Sequence, residues 1–219
     1  MEISEDLINK YNINVLNQDP LIFTIDNFIS SQDCSHLIKI SKPNLQQALV
    51  SDNKTGVKST GRTGSNCWIK KDTDKITKKI AKNISALVNI PIENSENFQV
   101  VYYGLDQRYN PHFDAYEKND SEKCKRCLKY GGQRILTALL YLNNVEEGGG
   151  TGFPSLGIEC KAEKGKLLVF NNCIKNTTDV HPKSLHAGLP VEYGEKYATN
   201  LWFREMNKSK LYDFPFLTK

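Results

Sequence analysis

The spacing of apolar and polar residues changes near the middle of the chain, from helix-like to strand-like. Ser30 and Asp33 have the spacing of a capping box, so a helix is predicted to begin there and to end near residue 41, before Pro43. A second helix is predicted at 74–88, where apolar residues recur at three- and four-residue intervals and Pro91 follows. The second helix is therefore expected to turn one apolar face toward a core.

Strand-like patterns dominate from residue 98 onward. Predicted strands cover 98–103, 135–142, 166–170 and 198–203, and glycine turns such as 148–150 separate them. The strand at 135–142 is apolar on both faces, which predicts that both are covered. Helices followed by many short strands predict an α+β, mainly β fold, a sandwich or jelly roll backed by N-terminal helices.

Two polar stretches interrupt this pattern. Residues 51–65 are small and polar, and residues 117–132 are charged and contain Cys124 and Cys127. Both are predicted to be long loops, and the first to be a lid or binding loop, because long loops in compact domains commonly have that role. The two cysteines are spaced like half of a zinc site, but no second Cys or His pair lies nearby. A local disulfide or two free thiols is the favoured interpretation.

Composition narrows the class of protein. The chain has 219 residues, 39% hydrophobic and 25% charged, which fits one folded domain. No apolar run approaches membrane-spanning length, so no membrane segment is expected. The chain shows no secretory leader, so a cytoplasmic location is expected, with the endoplasmic reticulum lumen as the alternative if a leader was trimmed. The densest basic stretch, 70–82, alternates with acidic residues, so no nucleic-acid partner is expected.

His112 and Asp114 form the first candidate site. In a strand, residues two apart point to the same face, so this imidazole and this carboxylate can hold one ion together. Two histidines and one carboxylate on one face of an octahedron are typical of non-haem Fe(II) oxygenases. From the residues alone, the third ligand is one of His181, His186 and His36.

Four ordered motifs extend this observation over residues 98–204. They are VVYYGLDQRYNPHFDAY, GGQRILTALLYLNNVEEGGGTGFP, KGKLLVFNN and SLHAGLPVEYGEKYATNLWFRE. Together they resemble the prolyl 4-hydroxylase branch of the 2-oxoglutarate- and Fe(II)-dependent dioxygenases, and FIS-SQDCSHLI and GRTGSNCWI are similar to its N-terminal part more loosely. The resemblance implies a double-stranded β-helix with 1–97 as helical support and substrate loop, 98–204 as the catalytic jelly roll, and 205–219 as a tail.

The resemblance also implies a ligand set. It makes His112, Asp114 and His186 the iron ligands, and His181 and His36 then have no metal role. Lys196 would pair with the distal carboxylate of 2-oxoglutarate, because a buried carboxylate needs a cation partner.

Further positions match the family with less specific residue types. Tyr103 and Thr151 match positions whose hydroxyls help to hold the same carboxylate, although both also suit an ordinary sheet. Tyr109, Arg134 and Trp202 match positions on the side of peptide substrate and oxygen, and Trp202 is also suited to a core.

Arg62 and Ser65 are similar to residues of the family's substrate-covering loop, although an exposed polar loop would contain such residues nearly as often.

The activity implied by the resemblance is hydroxylation of peptidyl proline at C4. The reaction would use Fe(II), 2-oxoglutarate and O2, with ascorbate as accessory, and would release succinate and CO2. A proline-containing peptide would be the substrate. The alternatives are hydroxylation of another peptidyl or free amino acid, and a jelly-roll binding module without catalysis.

Overall fold

Antiparallel strands form most of the chain in the computed structural model, which describes residue 7, residues 10–50 and residues 56–212. The helices are α1 (Ser31–Ser41), α2 (Lys75–Val88) and α3 (Glu122–Leu128). The strands are β1 (Asn14–Gln18), β2 (Leu21–Ile25), β3 (Gln46–Gln47), β4 (Ser65–Ile69), β5 (Phe98–Tyr103), β6 (Tyr109–His112), β7 (Arg134–Tyr141), β8 (Glu147–Gly148), β9 (Thr151–Phe153), β10 (Ile158–Cys160), β11 (Leu167–Asn171), β12 (His186–Gly188), β13 (Val191–Tyr193) and β14 (Lys196–Arg204).

The strands form one large sheet and two small ones. The large sheet has the order β1-β2-β11-β7-β14-β5-β4-β3, and the four-stranded sheet has the order β10-β9-β12-β6. Strands β13 and β8 form a two-stranded ribbon. Neighbours in the large sheet that are far apart in sequence, such as β2 and β11, pair antiparallel. This is the predicted jelly-roll architecture, and the α+β, mainly β class is confirmed.

The large sheet has an apolar core on each face. On one face, β7 contributes Leu136 and Leu140 to a cluster that includes Ile80 and Ile84 of α2. On the other face, its Tyr141 packs in a cluster with residues of the four-stranded sheet. Because side chains alternate along a strand, the apolar positions of β7 serve both cores, as the sequence predicted.

Both predicted helices form, the first at its predicted cap and the second one residue after its predicted start. The Ser30 hydroxyl accepts the Asp33 N–H at 3.1 Å before α1, and the Asp74 carboxylate accepts the Thr77 N–H at 2.8 Å before α2. Helix α2 ends at Val88 and is capped by Asn89, which adopts a left-handed conformation with φ of 52°. The helix is therefore terminated at Asn89, two residues before Pro91.

The predicted order, helices first and strands afterwards, is wrong. Strands β1 and β2 precede α1, and β4 lies between α1 and α2. All five residues of β2 are buried because the strand lies between β1 and β11 inside the large sheet. Short strands of this kind lack the alternation that identifies a half-buried strand, so the pattern alone misses them.

The stretch at 117–132 is also not a loop throughout. Helix α3 forms within it, capped by the Ser121 hydroxyl, which accepts the Cys124 N–H at 3.2 Å. Cys124 and Leu128 are buried against Tyr212, which explains why this charged segment folds as a helix. All six cysteines are free thiols. Among the described residues, Cys124 and Cys127 are not joined by further metal-ligating side chains.

The stretch at 51–65 is described only from residue 56 onward, and 51–55 lie outside the described residues. Val57 forms a bridge with Val50, and Ser65 begins β4. In the described part of the chain, no helix combines the length and the apolar character that crossing a membrane requires.

Candidate active site

Two paired strands of the small sheet bring the histidines together. His112 is the last residue of β6, His186 is the first residue of β12, and the two are direct partners in the antiparallel register. Asp114 follows β6 by two residues. Its Oδ1 lies 3.8 Å from His112 Nε2, and its Oδ2 lies 3.5 Å from His186 Nε2. Ligands around one octahedral ion are roughly 3 to 4 Å apart, so these three donors fit a single metal.

Backbone carbonyls fix both imidazoles in the ligating orientation. His112 Nδ1 lies 2.9 Å from the Asn110 carbonyl, and His186 Nδ1 lies 2.9 Å from the Ser184 carbonyl. Because a carbonyl only accepts, each Nδ1 carries the proton and each Nε2 keeps a free lone pair. The Thr137 hydroxyl donates to Asp114 Oδ2 at 2.7 Å and orients the carboxylate.

The electrostatics of the cluster favour the metal-binding protonation states. Burial, together with the neighbouring His186, lowers the pKa of His112 to about 3, so this imidazole is neutral at neutral pH. Burial acts to raise the pKa of Asp114, but the combined effect of the neighbouring His186, His112 and Arg134 outweighs it, and the pKa of the carboxyl is lowered. A neutral imidazole and an ionised carboxylate are the forms that bind a divalent ion.

The other two histidines lie elsewhere. His36 Nε2 on α1 lies 2.6 Å from Asp74 Oδ2, at the start of α2. His181 Nδ1 accepts the Lys183 N–H at 3.1 Å. Within the described residues, only His112, Asp114 and His186 form a cluster of metal-ligating side chains. Of the three candidates for the third ligand, the structure therefore places His186 beside His112 and Asp114.

A cavity of about 730 Å³ opens beside this cluster, between the large sheet and the four-stranded sheet. Most of the residues predicted for the site line it. They are Arg62, Tyr103, Tyr109, His112, Asp114, Arg134, Thr151, His186, Lys196 and Trp202. Ser65 does not line the cavity. It pairs with Tyr102, and both side chains lie on the face of the large sheet that points away from the cavity. The following residue, Asn66, lines the cavity, so the structure does not bring Ser65 together with the other predicted residues.

Lys196 brings a buried positive charge into the cavity. It is the first residue of β14, lies opposite Tyr103 and is 2% exposed. Its Nζ donates to the Gly150 carbonyl at 3.2 Å, and it has no carboxylate partner among the described residues. Burial lowers its pKa to about 8. A buried ammonium without an acidic partner suits one end of a dicarboxylate.

The hydroxyl groups near Lys196 form a short hydrogen-bonded chain. The Tyr141 hydroxyl lies 2.7 Å from Thr151 Oγ1 and 3.2 Å from the Cys160 carbonyl. The Tyr141 ring centroid lies 5.4 Å from Lys196 Nζ. The sequence predicted Thr151 for this end of the cavity but gave no sign of Tyr141, because the position of Tyr141 in an apolar strand resembles that of a core residue.

Arg134 stacks on Trp202 at the opposite wall of the cavity, with its guanidinium carbon 3.7 Å from the ring centroid. Its Nε donates to Glu96 Oε1 at 2.7 Å, and a second N–H donates to Oε2 at 3.1 Å. Arg204 Nε also donates to Glu96 Oε1, at 2.8 Å. Burial acts to raise the pKa of Glu96, but the two arginines lower it to about 2. Sequence reasoning missed Glu96 and Arg204, which carry no local signal.

Arg62 fixes the loop at 56–64 to the edge of the four-stranded sheet. Its guanidinium lies 4.8 Å from the Tyr109 ring centroid and donates to the Leu49 carbonyl at 3.2 Å and to Gln99 Oε1 at 3.0 Å. The Asn110 N–H donates to the Gly61 carbonyl at 2.8 Å, which continues the sheet onto the loop. The described part of the predicted lid is therefore ordered by backbone and side-chain hydrogen bonds.

Comparison with known proteins gives consistent matches. The model of the 2OG-Fe(II) oxygenase superfamily matches residues 98–204. A protein named putative prolyl 4-hydroxylase from Acanthamoeba polyphaga mimivirus is 39% identical over 183 residues, covering 84% of this chain and 74% of the relative. Prolyl 4-hydroxylase 5 of Arabidopsis thaliana is 32% identical, covering 87% of this chain and 70% of the relative.

A solved structure extends these matches to the fold. The viral collagen prolyl hydroxylase of Paramecium Bursaria Chlorella virus-1, in complex with 2-oxoglutarate, superimposes with a TM-score of 0.67. It is 30% identical, and the match covers 84% of this chain and 95% of that chain.

Proposed function

Because this chain belongs to the prolyl 4-hydroxylase family of 2-oxoglutarate- and Fe(II)-dependent oxygenases, we propose that it hydroxylates proline residues of a peptide at C4. The reaction consumes 2-oxoglutarate and O2 and releases succinate and CO2. One observation carries the proposal. A three-donor cluster with the geometry of an iron site and a buried lysine without an acidic partner line the same cavity.

The donor set fits Fe(II). His112, Asp114 and His186 supply two imidazoles and one carboxylate, the combination that leaves three positions of an octahedral Fe(II) free. When bound, Fe(II) together with 2-oxoglutarate and O2 supplies the oxidising power that replaces a C–H hydrogen by a hydroxyl. The protein's part is to fix the donors, which the carbonyls at Asn110 and Ser184 support. Ascorbate is the usual accessory of the family and maintains ferrous iron.

Lys196 is proposed to hold the distal carboxylate of 2-oxoglutarate. The ammonium is buried, and a carboxylate would supply the counter-charge that the described part of the protein lacks there. Tyr103 and Thr151 line the same end of the cavity and are proposed to donate hydrogen bonds to that carboxylate. The cosubstrate would thus span the cavity from the iron ligands to Lys196.

The aromatic wall is proposed to receive the peptide. Tyr109 and Trp202 flank the iron ligands, and Tyr109 stacks on His112 with ring centroids 3.6 Å apart. Proline-rich peptides are extended before they bind, and aromatic surfaces accommodate their rings at a low entropic cost. Arg134 and Arg62 line the same side, where their N–H groups can donate to peptide carbonyls. Residues 98–204 are proposed as the catalytic part, and Arg62 joins it from outside that range.

The test is mass spectrometry of peptides after incubation with Fe(II), 2-oxoglutarate, O2 and ascorbate. A panel of proline-rich peptides, matched peptides with alanine at the proline positions, lysyl peptides and free proline separates the substrate classes. The expected result is the gain of one oxygen atom on proline residues only, and amino-acid analysis should identify 4-hydroxyproline.

Other outcomes contradict the proposal in specific ways. Oxygen gain on lysine or on free proline would favour a different hydroxylase of the same family. The absence of 2-oxoglutarate turnover with every peptide, in protein that binds Fe(II), would favour a jelly-roll binding module. The His186→Ala variant serves as the control in which no product is expected.

A further inference from the structure

A pair of cysteines at the edge of the cavity has no part in the proposed reaction. Cys124 and Cys127 lie three residues apart on α3, and both are free thiols. Residues 117–124 form a rim of the cavity, which is lined there by Glu117, Asn119, Ser121, Lys123 and Cys124. Arg134 lies over the ring of Tyr116, just before this rim. The rim therefore borders the end of the cavity that is proposed to receive the peptide.

The spacing of the two cysteines permits a disulfide bond after a small local change. Residues three apart in an α-helix have Cα atoms about 5 Å apart, within the range that a disulfide spans. Their Cβ atoms are roughly 5 to 6 Å apart, whereas a disulfide needs about 4 Å. The last turn of α3 must therefore tighten for the bond to form. Cys127 lies in that last turn, next to Leu128, where the helix ends.

The two thiols differ in their access to solvent. Cys127 is half-buried, whereas Cys124 is 3% exposed and packs with Leu128 and Tyr212. An external disulfide can therefore react with Cys127 first, and Cys124 is placed to resolve the product. Between 122 and 129 the chain has one acidic residue and four basic ones. This positive charge would attract an anionic reagent such as glutathione disulfide.

Closing the bond would disturb two hydrogen bonds that hold the rim. The Asn119 N–H donates to Cys124 Sγ at 3.5 Å, and Arg204 Nη1 donates to the Cys127 carbonyl at 2.9 Å. Arg204 also donates to Glu96, which anchors the arginine at the aromatic wall. A tightened last turn moves both acceptors, so the effect reaches the peptide end of the cavity. The iron ligands are oriented by contacts outside α3.

We propose that Cys124 and Cys127 form a reversible redox modification site, at which a low-molecular-weight disulfide converts the two thiols into an internal disulfide, opens the rim and weakens binding of the peptide. The effect on the peptide rests on the proposed function, whereas the disulfide itself does not.

The oxidation proceeds by two thiol–disulfide exchanges. The Cys127 thiolate attacks one sulfur of glutathione disulfide, and the first glutathione leaves and takes up the proton that Cys127 lost. The Cys124 thiolate then attacks the sulfur of Cys127, and the second glutathione leaves with the second proton. The two cysteines together lose two electrons, and glutathione disulfide gains them. An excess of reduced glutathione reverses both steps.

The first test locates the disulfide and needs no turnover. The protein is incubated with glutathione disulfide without iron or O2, and its remaining thiols are alkylated and located by mass spectrometry. We expect one disulfide, between Cys124 and Cys127, and four cysteines that stay reduced because they are buried. Reduced glutathione should restore both thiols. A lasting glutathione adduct without the internal bond, a different pairing or no reaction would overturn the proposal.

The second test measures what the disulfide does. Amide hydrogen exchange at 117–132 should become faster on oxidation, while exchange at β6 and β12 stays unchanged. The KM for a proline-rich peptide should rise about tenfold, the typical effect of losing one hydrogen bond to a charged group, and the affinities for Fe(II) and 2-oxoglutarate should stay within about twofold. Unchanged exchange, an unchanged KM or an equal loss of 2-oxoglutarate affinity would each contradict the proposal.

Single substitutions assign the two thiols. Cys127→Ser should keep the KM of the reduced protein and lose the response to glutathione disulfide, so a response that persists contradicts the proposal. Cys124→Ser should retain glutathione on Cys127, because the resolving thiol is missing, and if it does not fold, Cys127→Ser decides alone. Cys173→Ser is the matched control, because it removes another buried thiol and should respond like the unchanged protein.

The reduced protein separates this proposal from the proposed function. If the reduced protein hydroxylates no peptide, the proposed function fails, and the location of the disulfide and the exchange at 117–132 still decide the modification site. If it hydroxylates proline with the same KM before and after the disulfide has formed, only the modification site is contradicted.

Discussion

The two ends of the cavity are suited to ligands of opposite charge. At the metal end, hydrogen bonds from Nδ1 to backbone carbonyls hold the imidazoles of His112 and His186, and the Thr137 hydroxyl holds the carboxylate of Asp114. At the other end, Lys196 is buried as a cation without an acidic partner among the described residues. The metal end is therefore arranged to receive a cation, and the lysine end to receive an anion. A dicarboxylate keto acid that bridges an iron ion and an ammonium satisfies both.

Removing an iron ligand is expected to have the largest effect. His186→Ala leaves one imidazole and one carboxylate, so Fe(II) affinity and activity should each fall by more than about a hundredfold. This loss exceeds the one usually seen when a residue that only hydrogen-bonds to a metal ligand is mutated. Fe(II) titration and a succinate assay measure the two losses. His36→Ala is the control, since His36 contacts Asp74 away from the cluster. Retained iron binding in His186→Ala would contradict the ligand assignment.

Removing the positive charge of Lys196 should weaken 2-oxoglutarate binding and leave the metal end unchanged. Lys196→Met is expected to weaken 2-oxoglutarate binding by roughly a hundredfold, because truncating one partner of a buried ion pair leaves the other unpaired. Fe(II) affinity in the absence of 2-oxoglutarate should change little. Calorimetric titrations with each ligand check both statements. A variant that loses Fe(II) as strongly as 2-oxoglutarate would show that the two ends do not act separately.

Removing the hydrogen bond from Thr137 to Asp114 should reduce Fe(II) affinity by an intermediate amount. Thr137 donates to Asp114 Oδ2 at 2.7 Å, so Thr137→Val removes an orienting hydrogen bond and keeps the shape. We expect Fe(II) affinity to fall by about tenfold or somewhat more. Thr137→Ser keeps the hydroxyl and should bind Fe(II) nearly as well as the unchanged protein. Equal loss in both variants would indicate that packing, and not the hydrogen bond, is responsible.

The smallest expected effect is a pH dependence of 2-oxoglutarate affinity that arises from Lys196. Burial lowers the pKa of Lys196 to about 8 in the ligand-free protein. A bound carboxylate favours the ammonium form and raises that pKa, so 2-oxoglutarate affinity should be highest below this value and decline above it. The decline is limited to about tenfold per pH unit. Calorimetry from neutral to alkaline pH should show it, and Lys196→Met should lack it.

The two ends also differ in how far the sequence predicts them. His112 and Asp114 are two residues apart near the end of one strand, so their spacing alone indicates a shared ion. His186 is far away in sequence, and only its register against His112 brings it close. Spacing alone therefore left His36 and His181 as alternatives. The resemblance to a family favoured His186, and the strand pairing places it opposite His112.

Residues that act across strands were the ones missed. Glu96 joins Arg134 and Arg204 only when β7 and β14 lie side by side, and no local pattern encodes that contact. Ser65 was predicted as a residue of a substrate-covering loop, but it begins β4, and the strand register turns its neighbour Asn66 toward the cavity instead. Short buried strands such as β2 were missed for a related reason, since their partners lie far along the chain.

The account's central claim is that the cavity couples consumption of 2-oxoglutarate to hydroxylation of peptidyl proline. The most direct test counts succinate and 4-hydroxyproline in the same reaction with a proline-rich peptide, Fe(II), O2 and ascorbate. Equal amounts of the two products, with neither formed by His186→Ala, is the predicted result. Succinate without hydroxyproline for every proline-containing peptide, or hydroxyproline formed without 2-oxoglutarate, would contradict the claim.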